Sequence, residues 1–272
     1  MKIIGIGDNV VDYYKDQESY YPGGNALNVS VIGKRNGFEN SSFLGIFGND
    51  TASDHVVSCL QEENIDVSRC RYACGDCGVA TISLKNGERQ FISSNKRTRI
   101  SSLLRLNLQE DDIAYINNFD IIHTSINSQI DTELKKISHK NISYDFSENS
   151  KWDYKFIDTV APYITYAFFS GSNLSDKEIF DLIYFVNKFN VESIAITRGD
   201  KPAILSYKGN IYKQNPYSTN LVDTMGAGDS FIAGFLSSFS KNKNPQKALI
   251  KAAQSASITC SHFGAVGYKK TK

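Results

Sequence analysis

The sequence predicts an α/β protein in which a mainly parallel sheet carries helices on both faces. Short apolar runs with the length of buried strands alternate with helix-like stretches along most of the 272 residues. This alternation is typical of parallel strands joined by crossover helices. One region breaks it with a strong hairpin signal, so we also expect a small β lid beside the main sheet.

The elements follow in order along the chain. Strands are predicted where a short apolar run is bounded by turn residues, and helices where apolar residues recur every three or four positions. The clearest helix is 176–189, whose apolar face is formed by Ile179, Leu182, Ile183 and Val186. The predicted strands are 2–7, 42–47, 142–146, 166–169 and 193–197, and the other predicted helices are 24–35, 51–63 and one that ends at Cys260.

The hairpin signal lies at 79–92. Residues 79–84 alternate with the period of a strand, Asn86 and Gly87 follow, and 89–92 resume a strand-like pattern. Asn-Gly favours a tight hairpin turn because both residues tolerate positive φ. We expect an antiparallel hairpin that covers a cleft, with an edge hairpin of no functional role as the alternative.

Properties of the whole chain bound its function. Hydrophobic residues make up 41% and charged residues 22%, as in globular proteins, and 30 basic against 29 acidic residues leave a net charge of +1. Such a balance gives no field that would attract nucleic acid or an anionic membrane. The apolar run at the N-terminus is too short for a signal peptide or a membrane span, so we expect a cytoplasmic protein without a membrane partner.

The strongest chemical signal is the segment 221–231. It runs from a strand end or loop into the glycine-rich turn 226–228, and a helix with apolar faces follows. Glycines at a helix start let the backbone approach a ligand, and the first amides of the helix form an anion site. The carboxylate of Asp229 is explained there if it accepts the proton of a hydroxyl that attacks a bound phosphate. The alternative is that Asp223 and Asp229 only cap the helix.

A second set of polar residues lies in the N-terminal half. Asp8, Asn9 and Asp12 follow the first strand, and the segment 22–28 precedes the first helix. Carboxylates and amides at strand ends suit the recognition of sugar hydroxyls, each of which donates and accepts hydrogen bonds. Ordinary turn chemistry is the alternative. His123 ends a buried-looking strand and is interpreted as a core histidine.

With these residues the sequence resembles the ribokinase/PfkB family of carbohydrate kinases. Gly23-Gly24 followed by Asn28 is similar to the N-terminal signature of that family. The segment 223–231, Asp-Thr-Met-Gly-Ala-Gly-Asp-Ser-Phe, is similar to its C-terminal signature almost residue for residue. Because the two signatures lie at the expected ends, the resemblance covers nearly the whole chain.

The resemblance implies one ribokinase-like, doubly wound α/β kinase domain over 1–272. Its small β lid would be formed by segments near 13–22 and 72–98. The implied activity is ATP-dependent transfer of the γ-phosphoryl group to a sugar hydroxyl. Since many members pair through their lids, a homodimer is a further expectation.

The resemblance also implies roles for individual residues. The catalytic base would be Asp229, beside an anion hole of backbone amides from Gly226, Ala227 and Gly228. The residues expected at the sugar are Asp12, Gly24 and Asn28. Those expected near the nucleotide are Thr197, Gly199 and Thr224, although Pro202 stands where the family usually has another glycine.

Cations enter through the same resemblance. Mg²⁺ is expected with ATP because it neutralises and bridges the phosphates. Members often place a monovalent-cation site where Asp223 stands, so K⁺ is a further candidate. Many members carry an Asn-x-x-Glu motif that organises Mg²⁺, whereas Asn173 and Asp176 here give Asn-x-x-Asp. This departure leaves the residues that organise Mg²⁺ open.

Within the family, the segments 6–12, 23–29 and 145–147 resemble the fructoselysine 6-kinases. This implies phosphorylation of the 6-hydroxyl of fructoselysine or a related fructosamine, a fructose carried on an amine. A kinase for another sugar such as fructose or ribose and a non-catalytic sugar sensor on the same fold are the alternatives. The residues expected at the amine end and on the closing lid are Asp8, Asp145 and Arg89.

A cluster of cysteines suggests a rival from another class. Cys70, Cys74 and Cys77 have the spacing of the iron–sulfur motif in radical enzymes. Asp76 stands where an aromatic residue is usual, and the cluster lies beside the predicted lid strand. The kinase signatures would also go unexplained. We therefore interpret the three as core or strand cysteines, with bound zinc or a Cys74–Cys77 disulfide as lesser alternatives.

Overall fold

The computed structural model describes residues 1–85 and 88–272, except for the side chains of residues 85, 88 and 89. The strands are β1 Lys2–Gly7, β2 Val10–Tyr14, β3 Ser19–Gly23, β4 Asn40–Phe47, β5 Arg71–Tyr72, β6 Gly78–Lys85, β7 Glu88–Ser94, β8 Ile121–Ser125, β9 Asn141–Glu148, β10 Tyr166–Ser170, β11 Ser193–Arg198, β12 Lys201–Tyr207, β13 Asn210–Gln214 and β14 Lys270–Thr271. The helices are α1 Asn25–Arg35, α2 Thr51–Glu62, α3 Ile100–Leu103, α4 Glu110–Ile116, α5 Leu134–Ile137, α6 Tyr154–Val160, α7 Asp176–Val186, α8 Ala227–Asn242 and α9 Pro245–Thr259.

The larger sheet has the strand order β13-β12-β11-β10-β9-β8-β1-β4-β5 in the described part of the chain. Neighbouring strands are parallel from β11 to β5, whereas β12 and β13 add an antiparallel edge. Its two faces bury separate apolar cores. One core includes residues of α1, α2, α8 and α9, and the other includes residues of α4 to α7. Helices thus cover both faces, and the predicted doubly wound α/β class is confirmed.

A second, small sheet has the order β14-β3-β2-β6-β7. The pairs β2–β3 and β6–β7 are antiparallel, and β2 joins them by running parallel to β6. The segments predicted for the lid contain β3, β6 and β7, and the sheet also takes up β14 near the C-terminus. The Asn86-Gly87 turn of the predicted hairpin lies outside the described residues. The role of the small sheet as a lid stays a prediction.

The predicted elements agree with the observed ones within a few residues. The helix predicted over 176–189 is α7, which ends at Val186 and continues as a 3₁₀ turn over Asn187–Phe189. The strands β12 and β13 have no counterpart in the prediction. Over residues 1–85 and 88–272, every helix is too short or too polar to cross a bilayer.

The first turn of α1 lies directly against β1 because the strand carries a glycine at that point. A Cβ added to Gly5 would lie 2.2 Å from the carbonyl oxygen of Ala26 and 2.3 Å from Ser30 Oγ. Any side chain at this position would therefore push the helix away from the sheet. The first turn of α1 contains Asn25 and Asn28, so the placement of both amides depends on Gly5.

We expect Gly5→Ala to lower the melting temperature, because overpacking of this kind costs about 1–3 kcal/mol. Thermal unfolding measures the effect. Gly33→Ala in the same helix is the matched control: its added Cβ would lie 3.3 Å from the nearest atom, in Phe38. Alanine also favours a helix over glycine by about 1 kcal/mol. A Gly5→Ala variant that melts with the wild type would show that α1 does not need this close approach.

Candidate active site

Five polar residues meet at the carboxyl ends of β1, β8 and β9, beside the first turns of α1 and α8. This edge of a doubly wound sheet is where ligands usually bind. The hydrogen bonds described below join the five into one cluster. They are Asp8, Asn25, Asn28, Asp145 and Asp229.

Asp229 lies in the first turn of α8, and both of its carboxylate oxygens accept hydrogen bonds from α1. Asn25 Nδ2 lies 2.7 Å from Asp229 Oδ1, and Asn28 Nδ2 lies 2.6 Å from Oδ2. One helix can supply both amides because residues three apart lie on the same face. The two amides, one on each carboxylate oxygen, fix the orientation of the carboxylate.

The other end of the Asn28 amide is a buried acceptor. Asn28 is 3% exposed, and its Oδ1 has no hydrogen-bond partner among the described residues. Buried acceptors without a donor are rare and costly. Because Nδ2 is committed to Asp229, the amide cannot turn Oδ1 elsewhere without losing that bond. A ligand hydroxyl that donates to Oδ1, next to the Asp229 carboxylate, would satisfy it.

Asp145 shares an amide with Asp229. Its Oδ2 accepts from Asn25 Nδ2 at 2.9 Å, and its Oδ1 accepts from the backbone amide of Ser147 at 2.8 Å. Part of the side chain reaches the cleft surface. Even so, loss of hydration and then repulsion from Asp229 raise the pKa of Asp145 to about 7. The structure thus brings this predicted substrate-binding residue beside Asp229.

Asp8 is committed to the start of α1. Its Oδ2 accepts from the Asn25 amide at 2.8 Å, and its Oδ1 accepts from the Ala26 amide at 3.3 Å and from Ser128 Oγ at 2.8 Å. The chain passes this close because Gly24 has φ 110°, and a Cβ there would lie 2.6 Å from the Asp8 carbonyl oxygen. Asp8 therefore caps α1 from the loop that follows β1. Substrate contacts of Asp8 and Gly24 stay predictions.

Asp12 lies in the small sheet, on β2, and is buried. Its carboxylate lies against the chain that leads into α1: a Cβ added to Gly23 would lie 2.3 Å from Asp12 Oδ2. Asp12 is therefore at the junction between the small sheet and the cluster around Asp229. Its contact with a sugar stays a prediction.

Asp223 ties β2 to the loop before α8. The carboxylate is fully buried and accepts hydrogen bonds from the Tyr14 hydroxyl, from the Gly264 amide at 2.9 Å and from the Met225 amide at 3.0 Å. Burial, followed by the bond to Asp223, raises the pKa of Tyr14 far above its ordinary value, so the hydroxyl remains a donor. The predicted role of Asp223 at a monovalent cation stays a prediction.

The glycine-rich turn before α8 has the geometry of a helix start open to a ligand. Gly226 has φ 73°, and a Cβ there would lie 2.3 Å from the Cβ of Ala265. The Ala227 amide donates to the Thr224 carbonyl at 3.2 Å. Gly228 is exposed, and a Cβ added to it would meet no atom of the described residues within 4 Å apart from its two chain neighbours and the nearby backbone of its own helix. Of the three predicted anion-hole residues, Gly228 is thus the most open to a ligand.

The residues predicted near the nucleotide lie at the same sheet edge. Thr197 is near the end of β11, and its carbonyl accepts from the Gly171 amide at 2.8 Å. Gly199 follows in the turn to β12 with φ 65°, which favours glycine. Thr224 is exposed in the loop before α8. Nucleotide contacts of these three residues stay predictions.

The acidic residues near Asn173 have other partners. Asp176 accepts from Arg198 at 2.6 Å, and the Glu178 carboxylate accepts from the Ser175 amide at 2.8 Å in a capping box. The Glu178 carboxylate thus stabilises the first turn of α7, and the Asp176 carboxylate stabilises the contact of α7 with β11. Within the described ranges, no group of three or more His, Cys, Asp or Glu residues has the geometry of a metal site.

The cysteine cluster does not fit iron–sulfur ligation. Cys70 Sγ donates to the Phe43 carbonyl at 3.2 Å, and Cys77 is buried, whereas Cys74 is exposed. Burial raises the pKa of the Cys70 and Cys77 thiols to about 12. Among the described residues, the three cysteines also do not form a group with the geometry of a metal site. These environments support the interpretation as core or strand cysteines.

Sequence reasoning assigned no role to Asn25 and read His123 as a core histidine. His123 is fully buried, with Nε2 at 2.8 Å from Asn25 Oδ1 and Nδ1 at 2.9 Å from Ser143 Oγ. The contact joins residues 98 positions apart, so no local spacing could have indicated it. It depends on the neighbouring positions of β1 and β8 in the sheet.

The fold and the site together define a carbohydrate kinase. A carboxylate at the glycine-rich start of a helix, at the ligand-binding edge of a doubly wound sheet, suits phosphoryl transfer to a hydroxyl. The family model described as pfkB family carbohydrate kinase matches residues 2–271, and the chain belongs to this family. It is an ATP-dependent kinase that phosphorylates a small sugar substrate.

Individual relatives cover nearly the whole chain. Fructosamine kinase FrlD of Bacillus subtilis (strain 168) is 45% identical over 270 residues, which span 98% of this chain and 94% of that protein. Fructoselysine 6-kinase of Escherichia coli (strain K12) is 27% identical over 262 residues, which span 96% and 97%.

Solved structures share the fold. Fructokinase with bound ATP from Xylella fastidiosa and Arabidopsis thaliana ribokinase complexed with ribose and ATP each give a TM-score of 0.81. Each is 16% identical to this chain, with 98% of this chain and 94% of the other covered. At that identity the two structures show the fold alone.

The raised pKa of Asp145 predicts a pH-dependent stability. The carboxyl group of Asp145 releases its proton at about pH 3.9 in the unfolded chain, and only near pH 7 in the folded protein. The folded state thus binds more protons between these values, and the contribution of the carboxyl group to stability falls as pH rises through that window. Asparagine cannot ionise, so the melting temperature of Asp145→Asn minus that of the wild type should be higher at pH 8 than at pH 5. We expect this increase to be on the order of 3 °C.

Thermal unfolding at the two pH values measures this gain. Asp176→Asn is the control, because its carboxylate is 68% exposed and bound to Arg198. The melting temperature of Asp176→Asn should differ from that of the wild type by the same amount at both pH values. A constant difference for Asp145→Asn as well would contradict the assignment of the raised pKa to this residue.

Proposed function

We propose that this kinase transfers the γ-phosphoryl group of ATP to the 6-hydroxyl of a fructosamine, such as fructoselysine. The names of two relatives that span nearly the whole chain, a fructosamine kinase and a fructoselysine 6-kinase, support this substrate class. The chemistry of the site supports the transfer to a hydroxyl.

The observation that carries the proposal is the buried Oδ1 of Asn28 beside the Asp229 carboxylate. One sugar hydroxyl donates to Asn28 Oδ1 while the 6-hydroxyl donates to Asp229. Asp229 then takes the proton of the 6-hydroxyl as general base. The backbone amides of the turn 226–228 stabilise the charge on the transferred phosphoryl group. The Asp229 carboxylate and the amides of the turn 226–228 both lie at the start of α8, so little rearrangement is needed for the transfer.

The amine-bearing end of the substrate is proposed to enter the cleft on the far side of Asp8. Asp8, Arg99 and Arg105 are among the residues that line this cleft. Arginine suits a carboxylate, so we assign the two arginines to the carboxylate of the amino acid that carries the fructose. Asp145 is assigned to the 6-hydroxyl end, because it shares Asn25 with Asp229. Arg89 stays a prediction, since its side chain lies outside the described residues.

The proposal also includes the cations, the oligomeric state and the location of the enzyme. Mg²⁺ is bound mainly by nucleotide phosphates and water, with one or two carboxylates, so no ready-made cluster is required in the described residues. K⁺ near Asp223 stays a prediction. A homodimer through the small sheets is supported by Phe91 and Ile92, which are exposed on β7. The cytoplasm stays the proposed location.

We expect Asp229→Asn to remain folded and to lose at least about 100-fold in kcat, the usual size of a general-base contribution. Initial rates at saturating sugar and ATP measure the loss, and the melting temperature reports folding. Asp158→Asn, which removes an exposed carboxylate of α6, should keep kcat. Turnover near the wild-type rate in Asp229→Asn would remove this residue from the role of base.

The substrate is tested by ADP release in a coupled assay with Mg²⁺ and K⁺. The panel contains fructoselysine, a fructosamine of a simple alkylamine, fructose, ribose and adenosine. We expect the highest kcat/KM for fructoselysine and a lower value for the alkylamine compound, which lacks the carboxylate. The double variant Arg99→Gln/Arg105→Gln should erase the difference between these two substrates.

Other outcomes would overturn parts of the proposal. A strong preference for fructose, ribose or adenosine would keep the kinase and exclude the fructosamine as its substrate. Equal kcat/KM for the two fructosamines would exclude the arginine-lined cleft as a carboxylate site. Sugar binding without turnover would favour a sensor.

A further inference from the structure

His123 contacts the cluster around Asp229 from inside the sheet. In the strand register it lies between Gly5 of β1 and Ser143 of β9. Its Nδ1 lies 2.9 Å from Ser143 Oγ and its Nε2 lies 2.8 Å from Asn25 Oδ1. Asn25 in turn reaches Asp145 at 2.9 Å and Asp229 at 2.7 Å through Nδ2. An unbroken chain of hydrogen bonds thus leads from Ser143 to Asp229.

With both carboxylates ionised, only one arrangement of protons satisfies all these contacts. The Asn25 atom that faces two carboxylates must be the nitrogen, because an oxygen there would be repelled by both. Its Oδ1 then faces His123 and can only accept, so His123 Nε2 carries the proton. Nδ1 of the neutral ring must accept, and the Ser143 hydroxyl donates to it. Burial lowers the pKa of His123 to about 3, so the ring stays neutral in the working range.

We propose that His123 is a positioning residue that locks the Asn25 amide with its nitrogen toward Asp145 and Asp229. The inference rests on the proposed role of Asp229 as base, and it adds a residue that never touches the substrate. The lock keeps a hydrogen-bond donor, instead of a repelling carbonyl oxygen, against the carboxylate that takes the proton.

The lock is needed because one of the two carboxylates titrates near neutrality. When Asp145 takes up a proton, it can donate to a reversed Asn25 amide, which would then turn its oxygen toward Asp229. The charged groups that act on Asp145 are Asp229 on α8, Asp8 after β1 and Lys151 after β9. His123 is neutral and opposes the reversal through its donor alone. Its contribution should therefore be largest below pH 7.

The test compares His123→Phe with His123→Gln. Phenylalanine fills the space without a donor, whereas the glutamine amide can replace Nε2–H. At pH 6 we expect His123→Phe to lose about 10-fold in kcat, the upper end of what one hydrogen bond between neutral groups contributes. At pH 8, where Asp145 is ionised and holds the Asn25 nitrogen together with Asp229, the loss should be at most about 3-fold. KM for ATP should not change, and His123→Gln should recover most of the loss at pH 6.

Two results would overturn the proposal. One is a His123→Phe variant with the same ratio to the wild type at both pH values, as a merely structural defect would give. The other is a His123→Gln variant as impaired as His123→Phe.

A single-atom variant covers the case in which His123→Phe does not fold. Ser143→Ala removes the donor to Nδ1 and lets the ring adopt the other tautomer. Its kcat should fall by about 2- to 5-fold at pH 6 and remain unchanged at pH 8. Ser193→Ala is the matched control: a buried strand serine whose Oγ has no partner in the part of the chain that the structure describes. Equal rates for both variants at pH 6 would overturn the proposal.

The outcome for Asp229→Asn separates this inference from the proposed function. If Asp229→Asn keeps its activity, the proposed base is wrong and the lock has no carboxylate to serve. If Asp229→Asn is inactive while the His123 and Ser143 variants match the wild type at pH 6, the base stands and only the lock is overturned.

Discussion

The active site depends on one contact between two helix starts, where amides of α1 hold the carboxylate of α8. Asn25 and Asn28 reach Asp229 at 2.7 and 2.6 Å, and a shift of about 1 Å of either helix would break at least one bond. Two glycines make the contact possible in different ways. Gly5 leaves no side chain between β1 and α1, whereas Gly226 adopts a left-handed φ of 73° and leaves room for Ala265. Close backbone packing at these two glycines thus decides where the base lies.

The same contact explains why a raised pKa falls on Asp145. Three carboxylates lie close together, and like charges in a partly buried cleft oppose ionisation. Asp8 is compensated by backbone amides at the start of α1, and Asp229 by two side-chain amides in the first turn of α8, where the helix dipole also favours an anion. Asp145 lies on a strand, without a helix start, and shares the Asn25 amide with Asp229. Loss of hydration, followed by the charge of Asp229, raises the pKa of Asp145 at this less compensated position.

The strands of the parallel sheet and the residues at the two helix starts could be predicted from the sequence, because both appear there as local patterns. Asp229 and Asn28 were predicted from such patterns, and the structure joins them by a hydrogen bond. The substrate contact of Asp8 stays a prediction, and its bonds to the first turn of α1 depend on how the helix lies against β1. The strands β12 and β13 were not predicted because Pro202 and polar side chains interrupt their apolar pattern. The partnership of His123 with Asn25 depends on the order of strands in the sheet, which no local spacing records.

Fructokinase and ribokinase structures share this fold at 16% identity, so the fold itself does not select the sugar. Selection has to come from side chains that line the cleft away from the base. In the cleft beside Asp8, the carboxylate is already bound to two amides and a hydroxyl of the protein. Arg99 donates through Nε to Ser102, and Arg105 is exposed, so the described contacts leave the positive charge of the two guanidinium groups uncompensated. A neutral sugar would desolvate that charge without replacing its hydration. We infer that the substrate of this kinase carries an anionic group beyond the sugar, which the amino acid of a fructosamine supplies.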